Sequence, residues 1–384
     1  MDVSKSLGAG QLNFEVVWVF SSLHSVLLVG FDGCGAFNER FNFENLMMPN
    51  QIGIVAPSSK VPRVELQLGL ERIQKAGFKV RVHPQVLKTH LFFAGTDEER
   101  ANAFFEFAQD PQIFALWCAR GGHGALRLLP RLEKLTQQKG IPPRKILLGY
   151  SDVTALMEYV RREWGWATLH APMPSWRKFS LLEQADWQAL ENWVQGLPAS
   201  LPWGNRKFEF WTPPPKRTIS APLVGGNLTL LACLLGTRFQ APLEDSFLFI
   251  EEVDEGLYRI DRLVQQLVLS GSLDRIRGII LGNFLNCKDY SPLVLKEVPR
   301  GKKRSQTLNA PQVEDLQPLR KTLAAEATLK KIFVELGTVL KVPVLAGLPV
   351  GHGPDVSPLP LGATYSLSPQ GEFSLKNWEW LRRT

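Results

Sequence analysis

One hydroxyl in the segment KILLGYSDVTALMEYVRR, residues 145–162, stands where a hydroxyl can do chemistry. Val153, Leu156, Met157 and Val160 recur at helical spacing, so a helix is expected to begin at or just after Ser151, directly behind the apolar strand 146–150. A serine on such a turn projects at the carboxyl end of a parallel sheet, and the free amides of the helix face any negative charge that develops there. The same position also suits an ordinary helix N-cap, in which the hydroxyl only accepts from a free amide. What separates nucleophile from cap is whether a base, an orienting carboxylate and an anion-binding loop stand beside it.

The sequence offers each. After an apolar strand ending at Ala119 comes RGGHG, residues 120–124, whose glycines let backbone amides approach a ligand as an oxyanion hole requires. It lacks the GxGxxG spacing of a dinucleotide fingerprint and equally suits a plain tight turn. Of the six histidines, His352 in GLPVGHGPD is the best-set base, in a loop behind the apolar VPVLAG, and His170 in TLHAPM is its rival. For the carboxylate, FLFIEEVDE ends an apolar run in Glu251 and Glu252. Strand neighbours point to opposite faces, so only one of the two can face a site, and both could simply end a strand at the surface.

These residues need a scaffold, and the chain supplies alternating elements. Strands are expected at 52–57 (IGIVAP, closed by its proline), 78–82, 113–119 and 146–150, interleaved with helices at 63–76 and 98–109, the pattern of a parallel sheet covered on both faces. Residues 203–220, GNRKFEFWTPPPKRTIS within them, carry three consecutive prolines with basic flanks and read as a linker. Beyond it come a Gly-Gly-Asn turn at 225–227 with a helix to Leu235, a strand at 247–250, a helix from Leu257 to about Ser270, and strands near Ile279 and Val344.

Composition narrows the class. With 384 residues, 45% hydrophobic and 21% charged, the chain can bury a large core and divide into about two domains. The four cysteines stand far apart with no CxxC pair, which argues against a disulfide scaffold or zinc site and for a reducing compartment. The net charge of +7 is local: residues 296–331 hold nine basic and four acidic residues. A solvated insertion explains that without a nucleic-acid partner, since no aromatics interleave the run. No run of eighteen apolar residues indicates a spanning helix. Residues 1–46 are expected to be an extension outside the core, because MPNQIGIVAP reads like the start of a first strand.

Seven segments, in order, resemble the LD-carboxypeptidases, the murein tetrapeptide carboxypeptidases and their microcin-immunity relatives. They are IGIVAPSS, WCARGGHGALRLLP, LLGYSDVTAL, LHAPM, LVGGNLTLLACLLGT, FIEEVDEGLYRIDR and LPVGHG, spread over residues 51–367. The resemblance implies a flavodoxin-like parallel-sheet amino-terminal domain (47–200), a linker (201–219) and a mixed α/β carboxyl-terminal domain (220–384), with the active site between them and a homodimeric assembly. It implies a catalytic set of Ser151, Glu251 and His352, choosing Glu251 over Glu252, with the amides of Gly122 and Asp152 as oxyanion hole. It implies neither metal nor cofactor, and a cytoplasmic murein peptide as substrate, cut before its terminal D-alanine. Arg120 and Arg259 lie nearest the motifs and are the candidates for the substrate carboxylate, which a bidentate guanidinium suits. His123, where the family often has tyrosine, Asp254-Glu255-Gly256 in place of Gly-Glu-Pro, and the long basic insertion depart from the pattern and bear on substrate rather than chemistry. Two other functions compete: an amidase acting on aminoacyl-nucleotide conjugates, and a non-catalytic binding protein in which Ser151 only caps its helix.

Overall fold

The computed structural model describes residues 16–22, 25–32, 35–42, 51–288, 318–353 and 356–380. In the first fifty residues, β1 (Val16–Ser22), β2 (Ser25–Asp32) and β3 (Gly35–Asn42) pair as an antiparallel sheet within a compact unit of their own, Met1–Asn50. The remainder, Gln51–Thr384, is a second compact unit containing two sheets.

The first of these follows from apolar runs too short for helices and buried on both faces. β4 (Gln51–Val55), β5 (Lys79–Val82), β6 (Ile113–Cys118), β7 (Ile146–Gly149) and β8 (Ala167–His170) are parallel, in the order β5-β4-β6-β7-β8. That is the flavodoxin-like doubly wound order, whose connections reverse direction between β4 and β6. Helices α1 (Arg63–Lys75), α2 (Asp97–Gln109), α3 (Leu129–Lys139), α4 (Thr154–Glu163) and α5 (Gln184–Val194) cover it. Thr96 and Glu99 form a reciprocal capping box that fixes where α2 begins.

The second sheet runs β16-β15-β10-β11-β12-β13-β9. Its core is the parallel set β10 (Ile219–Asn227), β11 (Phe247–Val253), β12 (Gly278–Leu285) and β13 (Val344–Ala346). β9 (Glu209–Phe210), inside the stretch expected to link the halves, pairs with β13, and β15 (Thr364–Leu367) and β16 (Phe373–Asn377) extend the other edge. Helices α6 (Leu228–Leu234), α7 (Leu257–Leu269) and α8 (Pro318–Leu340) pack here. Much of the basic segment 296–331 lies outside the described residues; its end enters α8, where Leu329 is buried.

Two features differ from expectation. Gly225 and Gly226 are the end of β10 rather than a turn, with φ of +141° and +147°. A side chain on Gly225 would collide with the Phe249 carbonyl, and one on Gly226 with Thr154, so glycine lets this strand lie close to α4. The first sheet also gains an edge strand from far along the chain: β14 (Leu359–Leu361) pairs antiparallel with β8, Leu359 opposite His170. The two sheets are thereby stitched together by chain that returns from the second to the first.

Candidate active site

Ser151 follows β7 without capping the helix. Tyr150 is extended, Ser151 itself takes φ +64°, one 3-10 turn intervenes (Ser151–Val153), and α4 starts at Thr154 with no side-chain cap. A non-glycine residue in the left-handed region is uncommon and costs about 1–2 kcal/mol, so the turn holds a strained serine rather than a relaxed cap. The residue after it ties the turn to the glycine loop: buried Asp152 accepts from the Ala125 amide at 2.8 Å. The loop in turn lies close to the serine: a Cβ built on Gly121 would sit 3.3 Å from Ser151 Oγ.

Glu251 and His352 converge from the second sheet. Glu251, on β11, is fully buried, and its Oε2 accepts from the His352 amide at 3.1 Å and lies 2.7 Å from His352 Nδ1. The preceding glycine is required there, because a Cβ on Gly351 would come 2.7 Å from the Glu251 Cβ. Tyr150, the chain neighbour of Ser151, brings its ring centroid to 4.8 Å from that of His352. Residues of both sheets therefore meet at the turn that carries the serine.

The electrostatics suit a base held by a carboxylate. Burial would raise the Glu251 carboxyl, but the hydrogen bond and charge of His352 outweigh it and hold the group below the ordinary carboxylate range. Burial would likewise lower the His352 imidazole, and the same pairing overcomes it, raising it above the ordinary 6.5. Glu252 points away, accepting from Asn227 Nδ2 at 2.8 Å, the Thr229 amide at 2.9 Å and the Thr229 hydroxyl at 2.7 Å. It serves the start of α6, and neither carboxylate ends a strand at the surface, for both are buried.

His170 lies in the same cluster but is placed differently. It is fully buried, its ring packed 5.4 Å from Tyr150 and 5.3 Å from Phe249, and among the described residues neither ring nitrogen has a hydrogen-bond partner. Burial pushes it down to about 4, with the nearby Glu251 opposing and His352 assisting, so it is neutral where His352 titrates. Because the unfolded chain takes up this proton near 6.5 and the folded one only near 4, stability should decline as pH falls through that window. The full effect approaches about 3 kcal/mol. Urea unfolding at pH 5 and 7.5 should show a shallower pH dependence for His170→Phe than for wild type; equal slopes would contradict the assignment.

The two arginines are exposed and engaged locally. Arg120 Nη1 donates to the Lys60 carbonyl at 2.8 Å, whereas Arg259 donates through Nε to the Tyr258 hydroxyl at 2.9 Å and faces Glu255 at 3.4 Å. Exposed His123 stands within ring contact of Phe92 and Phe93, at 5.9 and 5.7 Å, beside the glycine loop. Sequence reasoning missed two residues at the loop. Ser59, beyond β4, donates its amide to the Gly121 carbonyl at 3.2 Å and accepts from the His123 amide at 3.1 Å. Arg100, buried on α2, reads in sequence as one more charge of an acidic helix start, and the acidic residue three positions before it, Asp97, was the only available hint. Among the described residues no group of three or more His, Cys, Asp or Glu could hold a metal ion, and no helix is long and apolar enough to cross a membrane.

Residues 52–171 match the LD-carboxypeptidase N-terminal domain and residues 220–367 the LD-carboxypeptidase C-terminal domain. The murein tetrapeptide carboxypeptidase of Pseudomonas aeruginosa is 28% identical over 324 residues, which is 82% of this chain and 92% of that protein. The microcin C7 self-immunity protein of Escherichia coli is 27% identical over 256 residues, 59% of this chain and 72% of that one. Among solved structures, a muramoyltetrapeptide carboxypeptidase from Oxalobacter formigenes superposes with a TM-score of 0.65 at 26% identity, covering 85% of this chain and 97% of that one.

Proposed function

The chain belongs to the LD-carboxypeptidase family of serine-type carboxypeptidases, and from that premise we propose that it releases terminal D-alanine from murein tetrapeptides by hydrolysing the bond after an L-centre, diaminopimelate or lysine. The observation that carries the reading is the Glu251–His352 hydrogen bond of 2.7 Å beside a strained serine turn that abuts a glycine loop. With Nδ1 turned to the carboxylate, His352 has Nε2 free to take the Ser151 proton as Oγ attacks the scissile carbonyl. Glu251 holds the ring in that tautomer and stabilises the imidazolium. The amides of Gly122 and Asp152 receive the oxyanion, D-alanine departs with the proton from His352, and water activated by the same ring releases the acyl group. Arg120, whose Nη1 donates to the Lys60 carbonyl beside the glycine loop, is the better suited of the two arginines to take the D-alanine carboxylate. The domain division at 201–219, a homodimeric assembly and a cytoplasmic role in murein recycling belong to the same proposal, supported by the family membership.

A second reading has one observation in its favour. The exposed rings of Phe92 and His123 lie next to the glycine loop and could stack a planar base, as an amidase for aminoacyl-nucleotide conjugates would need; the E. coli relative is a microcin self-immunity protein. Comparing kcat/KM on a murein tetrapeptide and on glutamyl sulfamoyl adenosine divides the two. The proposal expects the tetrapeptide to be preferred by on the order of a hundredfold, a difference of about 3 kcal/mol in transition-state binding. The reverse preference would replace it with the amidase reading, and turnover of neither would favour a binding protein.

A further inference from the structure

Arg100 is 1% exposed, and its guanidinium reaches two loops that are far apart in sequence. Nη1 donates to the Pro57 carbonyl beyond β4 and, at 3.1 Å, to the Gly124 carbonyl beyond β6. Nη2 donates to Asp97 at 2.5 Å, and the group lies 4.5 Å from the Phe93 ring centroid. These loops flank the place where the sheet order reverses, the usual position for a ligand in such a fold. Burying a guanidinium costs several kcal/mol before its partners offset it, and Arg100 Nε has no hydrogen-bond partner among the described residues. Packing alone would be served as well by an apolar side chain of similar length.

What Arg100 holds is the direction of specific peptide planes. The Gly124 carbonyl and the Ala125 amide belong to one peptide group, gripped by Arg100 at one end and by Asp152, the residue after Ser151, at the other. The Gly121 carbonyl and the Gly122 amide belong to another. The Ser59 amide donates to that carbonyl at 3.2 Å, and with this peptide bond trans the Gly122 N–H must point away from the Ser59 amide. Arg100 fixes the carbonyl of Pro57, two residues before Ser59, and so steadies that donor as well. The bonds that frame the loop use the amides of His123 and Ala125 and leave the Gly122 amide out of them.

We propose that Arg100 is a positioning residue for catalysis: by clamping the Pro57 and Gly124 carbonyls it presets the Gly122 amide to meet the oxyanion formed at Ser151. This rests on Ser151 being the nucleophile. It touches neither substrate nor reacting atoms, so its removal is expected to weaken binding of the tetrahedral state and to spare the ground state.

The test compares wild type with Arg100→Met and Arg100→Lys for kcat, KM, tripeptide-product affinity and inhibition by a phosphonate mimic of the tetrahedral state. Arg100→Met should lower kcat on the order of a hundredfold, as loss of one oxyanion donor does, with KM and product affinity within about threefold. Phosphonate affinity should fall in parallel with kcat/KM. Arg100→Lys, which keeps the charge but not the fork, should fall between the two and carries the test if the methionine variant does not fold. Unchanged kcat and phosphonate affinity, or equal losses for product and phosphonate, would overturn the proposal. A fluorophosphonate adduct at Ser151 of the wild type separates that outcome from failure of the nucleophile reading, which would leave no adduct there.

Discussion

Ser151→Ala is expected to yield a folded protein whose kcat is lower by on the order of a thousandfold or more, with KM nearly unchanged, because the members of a nucleophilic set act as a unit. A fluorophosphonate probe should label the wild type at this residue and leave the variant unlabelled; undiminished labelling of Ser151→Ala would sink the assignment. The backbone makes a further demand. At φ +64° alanine keeps the strain of the native turn, whereas glycine adopts that region freely. Ser151→Gly should therefore be as inactive as the alanine variant yet more stable than it, by about 1 kcal/mol in denaturant unfolding. A serine that merely capped α4 would show the opposite pattern, with activity intact and stability lost on replacement by alanine.

Glu251→Gln should lower kcat on the order of a thousand- to ten-thousandfold while the fold persists, since an amide can neither impose the tautomer nor stabilise the imidazolium. It should also move the pH profile. In wild type, kcat/KM is expected to fall on the acid side as His352 takes its proton in the free enzyme, with the Glu251 pairing raising that inflection above the ordinary imidazole value. With the carboxylate gone, burial still lowers the ring while the strongest group opposing it is lost, so the inflection should drop below that of the wild type. A profile that keeps its inflection would mean that another group, and not this pair, controls the base. The companion variant Glu252→Gln removes a buried carboxylate that hydrogen-bonds Asn227 and Thr229 and acts on His352 through charge alone, so it should lower the inflection less than Glu251→Gln does.

The fold was legible where local pattern carries the information, and the candidate groups stood out beside the same patterns. Apolar runs of four to six residues alternating with helical periodicity announced the parallel sheet, and Ser151 and His352 stood in loops directly behind such runs. The choice between Glu251 and Glu252 was not legible from the strand, because alternation says that they diverge and not which way; in the structure both are buried, one against His352 and one against α6. Arg100 was hidden for a different reason. Its partners Pro57 and Gly124 lie 43 and 24 residues away, and only the doubly wound order brings their loops together. The glycine pair at 225–226 resembled a turn because the cause of its backbone conformation, the Phe249 carbonyl and Thr154, belongs to other elements. The edge strand β14 likewise depends on pairing with β8, almost two hundred residues earlier, which no local window contains.

The central claim is that this chain cuts an L,D bond through Ser151. Chiral analysis of the amino acid set free from a defined murein tetrapeptide, by wild type and by Ser151→Ala side by side, addresses it directly. D-alanine should be released by the wild type in amounts equal to the tripeptide formed, and by the variant in none above background. Absence of D-alanine from the wild type, or its equal release by both proteins, would contradict it.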